Sequence, residues 1–350
     1  MRIELDLQKF LTEITALPGT PGYERGVNGY IAKAFVPLAD EVTVDRLYNV
    51  IARVGSTGPR VMVDAHQDEI GLLVSDIEED GCLRMDRNGG VDPRILPGME
   101  VMVQAKGGAL FGVVGAKPPH LLTAKDQKKT YEMADLYVDI GFPPEKVRSL
   151  VRVGDTVVFR AKSRELAGGC FAGKTMDDRA SVAAMLVAAE ELQGMKVDST
   201  VYFVSSTQEE IGGKGSKVAA DAINPDYAIA IDVTHAEGPG TGKWEAFPMD
   251  KLTIAFGPAV HPALFQKAEE CAKKHRIPYE KEVLPRYTGT DTDIIRNVRD
   301  GIPSMLLSIP LRYMHTTVET LKLDVIRDTG RLLALLIADI ARDWEDMRWY

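Results

Sequence analysis

Five short segments carry the residue types of metal-assisted hydrolysis: His66-Gln67-Asp68, Asp177-Asp178-Arg179, Glu209-Glu210, Asp232-Val233-Thr234-His235 and Arg312-Tyr313-Met314-His315. Each sets a carboxylate or an imidazole just past a β-type run or at the start of a helical one. One acid at a strand end signifies little, because exposed carboxylates are common. Strand ends of one open α/β sheet converge on one crevice, however, so a set of such anchors points to a shared site. Imidazole and carboxylate without thiolate suit zinc, cobalt or manganese. Separate anchors in odd number also suit two metals that share a bridging carboxylate.

Two local relations sharpen the chemistry. His66 and Asp68 stand at i and i+2 of an extended segment and face the same way. Asp68 is thus placed to hold the second nitrogen of His66, as carboxylates do for metal-bound histidines. Glu209 and Glu210 are adjacent and should point in opposite directions, one to bind metal and the other to act as general base. That geometry argues against a glycosidase pair, whose acids face each other across about 5 to 9.5 Å.

These anchors need strands and helices to carry them. Apolar runs at 60–66, 201–205, 227–232, 252–256, 279–283 and 304–309 read as strands, and a hairpin is expected over 41–54. Helical spacing recurs over 7–17, 24–38, 179–192, 216–223, 262–274, 293–298 and 323–344, with Asp177 or Asp178 available to cap the third of these. Such alternation implies a mixed or largely parallel sheet covered on both faces. Between 69 and 162 the character changes to short strands with glycine turns at 71–75, 99–103, 109–114, 136–140 and 156–159, with one helical stretch at 144–150. That is the pattern of a small β-barrel or sandwich. The expected fold class is α/β, a mixed sheet flanked by helices with an inserted small β-barrel domain. Residues 1–68 and 165–350 would form the catalytic unit, and 69–164 the insertion. The polar, proline-bearing stretch from Lys117-Pro118-Pro119-His120 to Lys129 is expected to be a mobile loop.

Composition narrows the class. Hydrophobic residues at 45% and charged residues at 27% of 350 describe an ordinary globular chain, long enough for two domains. A formal net charge of −9 argues against nucleic acid as a partner and gives a weak attraction for amines. Cys82, Cys170 and Cys271 are isolated, which fits a reducing compartment. Met1-Arg2-Ile3-Glu4-Leu5-Asp6 has no apolar core of a leader, and no uncharged run approaches the ~20 residues of a membrane span. A cytoplasmic location without membrane contact is expected.

Asp64-Ala65-His66-Gln67-Asp68-Glu69-Ile70-Gly71, Asp177-Asp178-Arg179, Gln208-Glu209-Glu210-Ile211-Gly212, Asp232-Val233-Thr234-His235 and Arg312-Tyr313-Met314-His315-Thr316-Thr317-Val318-Glu319 occur in this order. In this the sequence resembles, over nearly its whole length, the tetrahedral (TET) dinuclear metalloaminopeptidases, also called glutamyl aminopeptidases and, misleadingly, cellulase M. The resemblance implies a zinc-exopeptidase-like catalytic domain and two divalent metal ions per subunit, zinc or cobalt. It implies His66 and Asp232 as terminal ligands of one ion, Glu210 and His315 of the other, and Asp177 as the bridge. Glu209 would be the general base, Asp68 the partner of His66, and Asp177-Asp178 a non-proline cis peptide. Thr292 departs from the alanine usual at its position. The cations would acidify a water and polarise the scissile carbonyl, and Glu209 would carry the proton to the leaving amine. Substrates would be short peptides with a free N-terminus. The assembly would be a homo-oligomer, a tetrahedral dodecamer, with the β domain supplying contacts. Two alternatives stand beside this: a related dinuclear-metal amidohydrolase acting as an N-acyl amino acid deacylase, and a non-catalytic oligomeric scaffold.

Other signals are weaker. Gly238-Pro239-Gly240-Thr241-Gly242-Lys243-Trp244 lacks the first glycine and the final hydroxyl of a phosphate loop, having Glu237 and Trp244 there. No HExxH or GxSxG occurs. His275, among Lys273, Lys274 and Arg276, reads as a solvated helix end. His235 would brace the turn at Asp232, His261 would cap a helix or line the pocket, and His120 is a loop residue that could reach a neighbouring subunit's site.

Overall fold

Asp6 starts the first helix by accepting the Lys9 amide, and the apolar stripe Leu7, Phe10, Leu11, Ile14 turns that helix inward. The computed structural model describes residues 5–242 and 245–344; Lys243 and Trp244 of the glycine-rich segment lie outside these, as do residues 1–4. In chain order α1 (Leu7–Ile14), α2 (Arg25–Phe35), β1 (Glu41–Val44), β2 (Val50–Val54) and β3 (Arg60–His66) lead into a β-rich stretch. That stretch holds β4 (Gly71–Ile77), β5 (Leu83–Asn88), β6 (Glu100–Ala105), β7 (Gly108–Ala116), β8 (Leu136–Asp139), α3 (Pro144–Leu150) and β9 (Thr156–Phe159). Next come β10 (Arg164–Leu166), β11 (Cys170–Gly173), α4 (Met176–Leu192), β12 (Thr200–Ser206), α5 (Lys214–Ile223) and β13 (Tyr227–His235). The chain ends with β14 (Leu252–Phe256), α6 (Pro262–His275), β15 (Tyr279–Val283), α7 (Asp291–Ile295), β16 (Ser304–Leu311), β17 (Glu319–Lys322) and α8 (Leu323–Asp343).

The main sheet has eight strands in the order β1-β2-β12-β3-β13-β16-β14-β15. Its centre, β12-β3-β13-β16, is parallel, whereas β2 and β14 join it antiparallel. The sheet is therefore mixed, as the alternation of strands and helices implies. Side chains alternate between its faces. Val61 and Val63 of β3 enter the large core with α1, α4 and α8, and Met62 enters the smaller one with α5 and α7. The central helix α4 is apolar on nearly every side. Gly330 of α8 lets the two helices meet, since a Cβ there would lie 2.5 Å from the Ala184 carbonyl.

Strands β4-β5-β8-β7-β6-β9 close into a barrel with its own apolar core, including Leu72, Leu83, Val101 and Val157. The sequence pattern omits β5, because Arg84, Asp86 and Arg87 interrupt it; Leu83 and Met85 nevertheless face inward. It also omits β10, β11 and β17, which form a separate three-stranded sheet and are only three or four residues long. Among the described residues no helix is long and apolar enough to cross a membrane.

Candidate metal centre

His66 is the last residue of β3 and pairs in parallel register with Ser206, the last of β12. The turns after both strands consequently leave the sheet side by side. Asp68 sits in the first turn, fully buried, with Oδ1 3.5 Å from His66 Nδ1. That is long for a hydrogen bond. The same carboxylate accepts the Glu209 amide at 3.1 Å and the Glu210 amide at 3.2 Å. Asp68 thereby fixes the backbone of both glutamates as well as facing the imidazole.

Glu24, which spacing alone does not single out, performs a matching task. Its carboxylate takes the Gln208 amide at 3.2 Å and the Gly22 amide at 2.9 Å, holding Gln208 at φ 58°. Burial, then the charge of Asp68, pushes its carboxyl up to about 7.

Asp177 opens α4 across a cis peptide to Asp178. Neither acid's side chain caps the helix, contrary to the sequence expectation: Asp177 turns to the two imidazoles, and the Asp178 oxygens accept no backbone amide. Its Oδ1 lies 3.1 Å from His66 Nε2 and its Oδ2 3.2 Å from His315 Nε2. Glu210 reaches the same nitrogen of His315 at 3.3 Å, while Glu209 lies 4.0 Å from His66. The adjacent glutamates thus address different imidazoles.

His315 follows β16 with φ 60°. Its Nδ1 donates to the Gly90 carbonyl at 3.0 Å, which fixes the tautomer and leaves Nε2 facing Asp177 and Glu210. A Cβ on Gly90 would come within 2.7 Å of that ring. Glu319, buried in β17, accepts the amides of His315 at 2.8 Å and Asp177 at 3.1 Å. Asp232 lies inside β13, opposite Ser308 of β16, and not past the strand end as its sequence position suggests.

His66, Asp177 and Glu210 offer ligand atoms all within 4.8 Å of one another, and so do His66, Asp178 and Asp232. Both oxygens of Asp178 are buried without a hydrogen-bond partner. Asp178, next to Asp177 in the same motif, thus joins the candidate ligands, a part that its spacing does not reveal. A third group, Cys271, His275 and Asp339, joins α6 to α8, where Asp339 already pairs with Lys274 and Arg342. His275 is the partly exposed last residue of α6, as expected of a helix end, and lies beside Cys271 and Asp339. His261 caps α6 through Nδ1, and His235 lines the cavity of the main site.

That cavity, about 560 Å³, has His66, Asp177, Glu209, Glu210, Asp232 and His315 in its lining. A larger one, about 1000 Å³, lies beside the barrel loops around Lys117, His120 and Tyr131, with no such cluster among the described residues.

The electrostatics fit bound cations. Burial raises Glu209 from 4.5 to about 10, with Asp232, Asp291 and Glu210 adding to the rise and His66 opposing it. Burial also pushes Asp178 and Asp232 well above the carboxylate range. Asp177, against the upward push of burial, is held below that range by hydrogen bonds from His315 and His66. Asp177 and Glu210 raise His315 from 6.5 to about 11. Without cations the pocket must gather protons to offset its carboxylates, and divalent ions can replace them.

A pH dependence follows. Glu209 and His315 both keep protons that the unfolded chain releases at 4.5 and 6.5, so their stabilising contribution shrinks as pH rises toward about 10 and 11. Chelator-treated protein is expected to lose thermal stability steadily from about pH 5 to pH 10, and added divalent cation to flatten that slope. Melting curves across this range, with and without metal, provide the check; a flat metal-free profile would contradict the charge balance.

The sequence profile of the M42 glutamyl aminopeptidase family matches residues 49–332. The chain is 37% identical to a lysyl aminopeptidase of Pyrococcus furiosus, covering 95% of this chain and 97% of that one. The crystal structure of a TET aminopeptidase from the marine sediment archaeon Thaumarchaeota archaeon SCGC AB-539-E09 superposes with a TM-score of 0.90 at 30% identity, covering 95% of each chain. The Pyrococcus horikoshii TET1 peptidase, described as assembling into a tetrahedron or a large octahedral shell, matches with a TM-score of 0.83 at 32% identity, covering 94% and 98%.

Proposed function

Because this chain belongs to the M42 glutamyl aminopeptidase family, we propose that it removes N-terminal residues from short peptides at the His66–His315 pocket with the help of two divalent metal ions. The observation that carries this reading is the position of Asp177, whose two oxygens face the Nε2 atoms of His66 and His315 at 3.1 and 3.2 Å. A carboxylate shared between two imidazoles, ringed by further acids, is a donor set for a pair of hard or borderline cations. His66 and Asp232 would hold one ion, Glu210 and His315 the other, and Asp177 would serve both. Zinc or cobalt suits these nitrogen and oxygen donors. Bound there, the cations supply Lewis acidity, polarising a carbonyl and lowering the pKa of water.

The chain's own residues do the rest. Glu209 takes the proton of the attacking water on a carboxylate oxygen and passes it to the leaving amine. Asp68 orients Glu209 by holding its amide and faces His66. Ring and carboxylate walls keep the reacting bond in a partly enclosed cavity, and the excess of acids favours a free α-amino group. Residues 1–68 and 165–350 form the catalytic unit, and 69–164 the inserted barrel that supplies subunit contacts. The tetrahedral form of the horikoshii relative, with a similar TET1 structure described as a dodecamer, supports a closed homo-oligomer, a tetrahedral dodecamer. The three unpaired thiols support a reducing, cytoplasmic setting.

Hydrolysis of a panel of aminoacyl-p-nitroanilides, with and without chelator, tests the reading. Chelator-sensitive release, restored by zinc or cobalt, is expected. No such release from any member would favour a scaffold, and release only from N-acylated amino acids would favour a deacylase.

A further inference from the structure

The lining of the same cavity includes a further buried acid, Glu282 of β15, only 7% exposed. Its Oε1 accepts the Thr234 hydroxyl at 2.7 Å, and its Oε2 accepts those of Thr253 at 2.6 Å and Ser308 at 2.9 Å. Four strands, β13, β14, β15 and β16, converge on this one carboxylate. Each neighbour donates, the pattern of an acceptor-only, ionised group. Three of its roughly four lone-pair directions are filled, and one is left. Among the described residues no lysine or arginine pairs with it, and none lines the cavity. A buried charge without a counter-charge is costly, and in natural proteins it is usually paired.

The geometry places this acid beside the reacting centre. Ser308 stands opposite Asp232 in the parallel pairing of β13 and β16, about 4.8 Å away by strand spacing. The cavity that holds both the acid and the cluster also has apolar lining from Val233, Leu284, Leu306 and Met314. A partly apolar cavity that includes a buried carboxylate with no cationic partner matches a side chain with a hydrocarbon stem and a cationic head.

We propose that Glu282 is the anchor for the side chain of the substrate's N-terminal residue, and that the enzyme prefers lysine or arginine there. This rests on the aminopeptidase reading and deepens it. An N-terminal glutamate would set its carboxylate against Glu282 with no cation lining the cavity, so the preference runs opposite to the acidic one in the family's description.

The test compares kcat/KM for lysyl, arginyl, norleucyl, leucyl and glutamyl p-nitroanilides on the metal-loaded, full-length protein. Norleucine keeps the lysine stem and lacks the ammonium, so the lysyl-to-norleucyl ratio isolates the charge. The expected ratio is at least about 30-fold, the effect of a buried, hydrogen-bonded charge partner, with glutamyl the poorest substrate. In Glu282→Gln that ratio should fall to within about threefold of one. A norleucyl or glutamyl substrate cleaved as well as lysyl by the wild-type enzyme would overturn the proposal. So would a variant that lowers all substrates by one common factor, the signature of a purely structural acid. The wild-type panel needs no variant, so a misfolded Glu282→Gln cannot shelter the idea. Failure to cleave any member would instead count against the aminopeptidase reading itself.

Discussion

Replacing Glu209 with glutamine should lower kcat by about 10²–10⁴-fold, the usual contribution of a general base, while metal content stays at the wild-type level. Glutamine has the same shape but cannot take a proton. Glu209 stands 4.0 Å from the His66 nitrogen, whereas Glu210 approaches His315 at 3.3 Å and Asp177 approaches both rings more closely still. The remaining donors therefore suffice to hold cations when Glu209 is neutral. Its pKa, raised by burial to about 10, adds a condition: the carboxylate is a base at neutral pH only when positive charge in the pocket brings that value down. Elemental analysis of the purified variant alongside its turnover of a chromogenic peptide analogue decides the matter. Retained turnover would remove Glu209 from the base's role, and lost metal would make it a ligand.

Asp177→Asn should be more damaging still, and by a different route. The substitution leaves two imidazoles and their neighbouring acids in place but removes the negative charge between them. Even residues that only support a metal ligand cost 10–100-fold in affinity when changed, so loss of the shared carboxylate is expected to exceed about 100-fold. Activity should vanish at metal concentrations that saturate the wild type. Far-ultraviolet circular dichroism should stay native, because α4 is held by its apolar faces and not by Asp177. Isothermal titration with zinc separates the outcomes: wild-type stoichiometry and affinity in the variant would refute the bridging position.

The legible and illegible parts of the sequence divide on physical grounds. Strands β3, β12, β13 and β16 announce themselves as apolar runs, because central parallel strands are buried on both faces. Once they pair, His66 and the Glu209-Glu210 turn are neighbours by register. Strand β5 is hidden, since its outward residues are charged and its inward ones are few. Asp178 sits in a motif that spacing singles out and Glu319 in one that only the family resemblance marks, and their tasks depend on atoms far along the chain. Glu24 and Glu282 are harder cases: each is an ordinary glutamate in a polar stretch until the fold buries it. Asp177 misleads in the other sense, because an acid at a helix start reads as a cap, and here the imidazoles claim it.

Gly90 joins the last strand-pair of the barrel's opening hairpin to the catalytic pocket, its carbonyl on His315 and its amide 3.4 Å from Glu210. The insertion is thus not a passive appendage. Its attitude toward the main sheet would be felt directly at two of the groups that would grip one cation, so packing forces on the barrel's outer wall have a short mechanical route to the chemistry.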